Sequence, residues 1–298
     1  MGRTPPPRPW CALTWRTPAL GRTGAGAAAS EPGISYAAEL ARDHGAHLVG
    51  LSILEPLDLS AYFAPGSGFM AVDVIQEIEE KHRATAQAAA SKVEAAFRAA
   101  CSRAGISHEW RLAEGDPAEV GVLHAHYADL AVTGQIDPGK PPPGGWARLP
   151  EQLALASGRP ALIVPYAGRF DTVGRRVLLA WSRTRESARA LNDSLPILER
   201  ASHVTVLSIN PRRGEEANDL PGADIALHLA RHGVKAEASS TVADDIDVGN
   251  TLLSRAADLG ADLIVMGCYG HSRMRELILG GATREILRHM TVPVLMSH

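Results

Sequence analysis

The sequence predicts an α/β protein, with mainly parallel sheets covered by helices on both faces and the whole arrangement present twice. Two observations carry this. From residue 31 onward, short apolar runs alternate with longer stretches of helical periodicity, and strands apolar on both faces belong in parallel sheets held between helices. The two halves also repeat. Tyr127-Ala128-Asp129-Leu130-Ala131-Val132-Thr133-Gly134 aligns with Gly260-Ala261-Asp262-Leu263-Ile264-Val265-Met266-Gly267, so that Asp129 stands 133 positions before Asp262, and Pro160 stands the same distance before Pro293. Upstream, His47-Leu48-Val49-Gly50-Leu51-Ser52-Ile53 aligns with His203-Val204-Thr205-Val206-Leu207-Ser208-Ile209 at a spacing of 156. A duplication followed by one net insertion of about 23 residues leaves this pattern. The insertion falls after the strand ending near Leu54, around Pro56 to Val74 or in the long helix behind it.

The second copy reads most cleanly. Arg176 to Trp181 is a buried strand, and Thr184 opens a helix to about Arg200 with Ala188, Leu191, Leu195 and Leu198 near helical spacing. His203 to Ile209 is the second strand. A helix follows from about Asp219 to His232, with Gly233 suited to its C-terminal cap. Lys235 to Thr241 makes a third strand, Asp247 to Leu259 a helix ended by Gly260, and Asp262 to Met266 a fully apolar fourth strand. Thr283 to His289 is helical and Val292 to Met296 is the fifth strand. In the first copy the order is strand 47–54, helix 73–104, strand 108–113, helix 117–126, strand 128–133, helix 149–157 and strand 160–165. The predicted domains are residues 31–168 and 174–298. The first domain's opening strand is atypical or missing, because moving Val177 to Ala180 back by 156 lands on Gly21-Arg22-Thr23-Gly24. Either Ala12 to Trp15 substitutes for it or the domain lacks a proper central strand.

Residues 1–30 differ from the rest, with no Asp or Glu, four arginines and abundant Pro, Gly and Ala. The apolar stretch Trp10 to Trp15 is too short and polar for a secretory signal, and no amphipathic helical pattern supports a transit peptide. The favoured reading is a disordered extension or an incorrectly assigned start. Gly24-x-Gly26-x-x-Ala29 has dinucleotide-loop spacing and is followed by a helical pattern, but it lacks the preceding strand that such a loop requires.

A formal net charge of −3 gives no electrostatic case for nucleic acid or an anionic membrane, and no apolar run approaches a membrane span. The three cysteines, Cys11, Cys101 and Cys268, are odd in number and far apart, which points to a reduced, cytoplasmic protein. Hydrolase elbows, Walker loops and paired-histidine zinc motifs are absent from the sequence, so no catalytic residue is expected. His124 and His126 are two apart on a helix and point to different faces, which argues against a metal. Asp244, Asp245 and Asp247 precede a helix and favour its dipole rather than Mg²⁺. Tyr62, Phe63, Phe69 and Met70 form either a mobile flap or a cover for their own core.

Ligands in open parallel sheets bind beyond the carboxyl ends of strands where the strand order reverses. In the second domain that loop reads Gly267-Cys268-Tyr269-Gly270-His271-Ser272-Arg273-Met274-Arg275, continuing to Gly280-Gly281-Ala282-Thr283 at a helix start. Glycines let backbone N–H groups approach a phosphate, the helix N-terminus adds its positive end, and His271, Ser272, Arg273 and Arg275 add donors and charge. Cys268, near His271 and arginines, is a candidate for a lowered thiol pKa, although a plain structural role is the default.

The spacing Gly267-x2-Gly270-x9-Gly280, with the flanking strand Ala261 to Met266 and the ending Thr291-Val292-Pro293-Val294-Leu295-Met296, resembles the universal stress protein family. With the repeat, the resemblance covers about residues 31–298. It implies two tandem doubly wound domains of the adenine-nucleotide alpha-hydrolase-like type, each a five-stranded parallel sheet of order 3-2-1-4-5. It also implies a non-enzymatic regulatory or protective module in stress response, acting as a homodimer or through pairing of its own two domains. The alternative is an ATP- or AMP-binding sensor, with Mg²⁺ and slow or no ATPase activity; a third reading is pure scaffolding through the apolar last strands. Nucleotide-binding members carry Ser or Thr where Gly281 stands, and an Asp where Ser182 aligns, so the implied site is weak. It comprises Gly267, Gly270, His271, Ser272, Arg273, Gly280, Gly281, Ala282, Thr283 and Ser182. In the first domain Gly134, Asp137 and Ala147 stand opposite Gly267, Gly270 and Gly280, and Asp137 with Pro138 and Pro141 to Pro143 argues against a site there.

Overall fold

The computed structural model describes residues 12–14, 31–57, 72–142, 144–170, 172–210, 222–243, 248–268 and 281–298. In chain order the strands are β1 (Ala12–Thr14), β2 (Leu48–Leu54), β3 (His108–Glu114), β4 (Ala131–Gly134), β5 (Ala161–Val164), β6 (Arg176–Ala180), β7 (His203–Ile209), β8 (Ala236–Thr241), β9 (Leu263–Gly267) and β10 (Val294–Ser297). The helices are α1 (Glu31–His44), α2 (Val72–Ala104), α3 (Pro117–Ala125), α4 (Leu149–Ala156), α5 (Arg185–Leu198), α6 (Ala223–Arg231), α7 (Val248–Asp258) and α8 (Gly281–His289), with a 3₁₀ turn at Gly144–Ala147.

All ten strands join one sheet of order β3-β2-β1-β4-β5-β10-β9-β6-β7-β8. Each half is a parallel five-stranded unit of order 3-2-1-4-5 in its own numbering. The halves meet where β5 and β10 pair antiparallel, Val294 opposite Ile163, Leu295 opposite Leu162 and Met296 opposite Ala161. Of the two pairings the sequence leaves open, the intramolecular one is therefore built into the fold. Side chains alternate across the sheet. Leu162, Val164, Val177, Leu179, Leu263 and Val265 pack with Tyr36 of α1, Phe97 of α2 and Leu191 of α5 on one face. Ile163, Leu178, Ile264 and Met266 pack with Leu153 of α4, Leu252 of α7 and Ile286 of α8 on the other. Both apolar layers cross the seam without a break.

The missing first strand is supplied by the substitute the sequence offered. Ala12–Thr14 runs parallel to β2 on one side and β4 on the other, with Leu13 between Gly50 and Val132. The sheet of the first domain thus reaches into the stretch expected to be a detached extension at 1–30; the rest of that stretch lies outside the described residues, as do Gly24, Gly26, the inserted aromatics Tyr62, Phe63 and Phe69 with Met70, and the run Asp244 to Asp247.

Most element ends fall within two residues of their expected places, and the exceptions have local causes. β4 begins at Ala131 rather than residue 128, its first N–H donating to Pro160 O at 3.0 Å. α8 begins at Gly281, two residues before Thr283 and within that margin. α6 begins at Ala223 behind Gly222, whose φ of +88° is left-handed and sharply turns the chain into the helix. Across the linker, Tyr36 of α1 meets Phe170 edge to face at 6.0 Å. Asp262 accepts from Arg175 N at 3.1 Å, Arg176 N at 2.9 Å and the Thr172 hydroxyl, fixing the entry to the second domain.

Candidate functional site

In the second domain β6 and β9 lie side by side, and the chain leaves their carboxyl ends toward opposite faces of the sheet, which makes this the point of strand-order reversal. Beyond β6, the turn Trp181-Ser182-Arg183-Thr184 enters α5. Arg183 has φ +58°, a left-handed value uncommon for a residue with a side chain. Thr184 is the N-cap, with a reciprocal capping box: its hydroxyl accepts Ser187 N at 3.2 Å, and Ser187 Oγ accepts Thr184 N at 3.1 Å. Ser182 lies against this cap, its Oγ 3.3 Å from Thr184 Oγ1.

Glu186, in the first turn of α5, is 4% exposed. Burial raises the cost of its charge, but hydrogen bonds from Arg185, from its own backbone N–H and from Thr184 outweigh that and hold its carboxyl below the usual range. The positive end of the helix dipole favours the same charge state.

Gly267 ends β9 directly against this turn. A Cβ there would lie 2.5 Å from both Glu186 C and Ser187 N. Its lack of a side chain is therefore required by the packing of α5 on β9, a role that spacing alone did not reveal. The next residue, Cys268, is fully buried, its Sγ 3.4 Å from Ser297 O as donor. Burial pushes its thiol up to about 12, and the neighbouring Glu186 and Glu151 charges add to that. These surroundings disfavour the thiolate and favour the plain structural role over the reactive alternative for Cys268.

Gly281 and Ala282 form the first turn of α8, where backbone N–H groups lack helical acceptors. Among the described residues nothing lies within 4 Å of a Cβ placed on Gly281. Thr283 is 3% exposed, a buried side chain in the first turn of α8. Gly270, His271, Ser272, Arg273 and Gly280 lie outside the described residues. The structure thus brings Ser182, Gly267 and the α5 cap together.

At the corresponding end of the first domain, polar groups are taken up by the domain's own carboxylates. Glu55, just past β2, accepts the N–H of Gly145 at 2.9 Å, and a Cβ on Gly144 would run into the same carboxylate. Asp116 caps α3 through Ala118 N at 2.9 Å and Glu119 N at 3.1 Å, and also binds Arg148 at 2.9 Å. Asp137 is spent on its own turn, accepting Gly139 N at 2.8 Å. Asp116 followed by Pro117 is a legible helix start; Glu55 gave no sequence signal, because its partner is 90 positions away.

Among the described residues no group of three potential metal ligands is gathered. His124 stands beside Arg111 and Glu109, with burial first and then Arg111 lowering its pKa, whereas His126 is the C-cap of α3. No described helix is long and apolar enough to cross a membrane.

Comparison with known proteins gives concordant results. The sequence pattern described as the universal stress protein family matches residues 174–298. A universal stress protein of Synechocystis sp. is 26% identical over 148 residues, which span 49% of this chain and 49% of that protein, so the match covers about half of the relative's length. Among solved structures, a universal stress protein from Archaeoglobus fulgidus DSM 4304 superposes with a TM-score of 0.65 at 17% identity, over 96% of this chain and 97% of its own. A functionally unknown protein from Pseudomonas aeruginosa PAO1 superposes with a TM-score of 0.55 at 16% identity, over 96% and 92%. At these identities the two superpositions establish the fold.

Proposed function

We propose, from the match of residues 174–298 to the universal stress protein family and from the fold that both halves share, a non-enzymatic regulatory or protective module of the stress response. Its single ligand site, a weak one for ATP or AMP with Mg²⁺, lies in the second domain. The observation that carries this is the run Gly267-x2-Gly270-x9-Gly280, which connects the carboxyl end of β9 to the N-terminus of α8. A glycine-rich approach to a helix N-terminus suits phosphate, with His271, Ser272 and Arg273 supplying further donors.

Two substitutions make the site weak. Ser182 offers no carboxylate to a base, and Gly281 offers no hydroxyl to a phosphate. Each lost hydrogen bond to a charged group forfeits about 1.5–3 kcal/mol, roughly ten- to a hundredfold in affinity. In the first domain, the N–H of Gly145 already serves the Glu55 carboxylate, which supports a stoichiometry of one nucleotide per chain. The sensor reading, with slow or no ATPase activity, draws on the same loop and shares the test.

Calorimetric titration of the full chain with Mg·ATP is expected to give weak binding at a stoichiometry of one, lost in Gly270→Asp. Absence of heat at millimolar ATP would remove the nucleotide from the proposal and leave partner contacts as its route of action.

A further inference from the structure

One side chain joins the two domains at a place that bears on this site. Gln135 follows β4 directly, at the base of the first domain's counterpart loop, and is 6% exposed. Its Nε2 donates to Leu287 O at 2.9 Å and to Arg288 O at 3.1 Å, both in the last turn of α8. Its Oε1 accepts the N–H of Tyr166 at 3.2 Å, and its own N–H donates to Val164 O at 2.7 Å. The reverse amide orientation would set an oxygen against two carbonyls, so the network itself assigns it. Helix C-termini leave carbonyls without helical partners. Here two of them are capped from the other domain.

The arrangement is one-sided. The counterpart of Gln135, 133 positions on, is Cys268, and its thiol turns to Ser297 O within its own domain. The first domain therefore grips the helix whose N-terminus closes the second domain's loop, and Cys268 makes no return grip. α8 spans nine residues between the two ends, about 13 Å of hydrogen-bonded rod. It is further tied to α7 through Asn250 Nδ2 and Glu285 Oε1 at 3.3 Å.

We propose that α8 and Gln135 form a coupling link, by which nucleotide bound at the N-terminus of α8 alters the order of the first domain's residues 135–142. The link rests on the nucleotide reading above. By linkage, the factor by which nucleotide favours the ordered 135–142 segment is the factor by which that order favours nucleotide.

The test uses the full chain, with Gln135→Leu, similar in volume but without hydrogen-bonding groups, and Arg189→Ala as control. Arg189 Nη2 donates to Gly158 O at 2.8 Å across the same seam but does not touch α8. In the wild-type chain Mg·ATP is expected to slow amide exchange at 135–142. Gln135→Leu should abolish that protection and weaken ATP binding about fivefold or more, while Arg189→Ala does neither. Unchanged affinity in Gln135→Leu, or no protection at 135–142 with ATP bound, overturns the link. Failure of ATP to bind the wild-type chain removes the nucleotide reading, and the ligand-free proteins then decide the link alone. Faster exchange in Gln135→Leu across the whole of 281–289 upholds α8 as a unit, and a change confined to its last turn overturns it.

Discussion

Two glycines at the two ends of the candidate loop answer to different constraints. Gly267 is hemmed in by the backbone of Glu186 and Ser187, so Gly267→Ala must separate α5 from β9. We expect a loss of about 1–3 kcal/mol, the usual range for overpacking, read as a lower denaturant midpoint at unchanged slope. Gly281 has no described neighbour within 4 Å of a Cβ. Gly281→Ser should therefore be accommodated and should restore a hydroxyl at the helix start. One added hydrogen bond of about 1 kcal/mol corresponds to roughly fivefold tighter ATP binding, measured by the same titration. The spacing of the motif announced Gly267, and Gly281 stood out as a departure from the resembled pattern. Only three-dimensional proximity separates the one that packs from the one that leaves room, and the same limit hid the carboxylate of Glu55 on Gly145.

At the scale of elements, local chemistry decided what could be read ahead. β7 runs from His203 to Ile209 as the apolar run suggests, and α5 starts behind Thr184 because cap and first turn are specified within four residues. β1 is the opposite case. Three residues hold too little pattern to decide between a strand at Ala12 to Trp15 and a missing one, and the place of Ala12–Thr14 is defined by β2 and β4 on either side. The first turn of α5 also has a pH signature. Glu186 has its folded-state pKa below the unfolded carboxylate value, near 4.3. Its stabilising contribution is then present above that value and is lost as pH falls through the lower folded value. Denaturant unfolding between pH 7 and 3 should show wild type losing stability more steeply than Glu186→Gln; parallel curves would contradict the assignment.

For the whole molecule the governing contact is β5 against β10, in which Ala161, Leu162, Ile163, Val294, Leu295 and Met296 are all fully buried. The outer edges of the sheet are β3 and β8. Charge guards them: Glu109 pairs with Arg111 on β3, and Glu237 of β8 with His203, as befits strands that should not recruit neighbours. Residues 174–298 made alone would expose the β10 edge. They are expected to associate as antiparallel dimers through it, seen as a doubled mass in light scattering, whereas the full chain does not use that edge again. A monomeric fragment would contradict this account.

The short β1 has a consequence of its own. A central strand joined to the rest of its domain only through residues 15–30 makes that domain, in effect, a receptor for its own leading peptide. A chain beginning at residue 31 would present an empty slot between β2 and β4, and a synthetic peptide of residues 1–30 supplied in trans should fill it by fragment complementation.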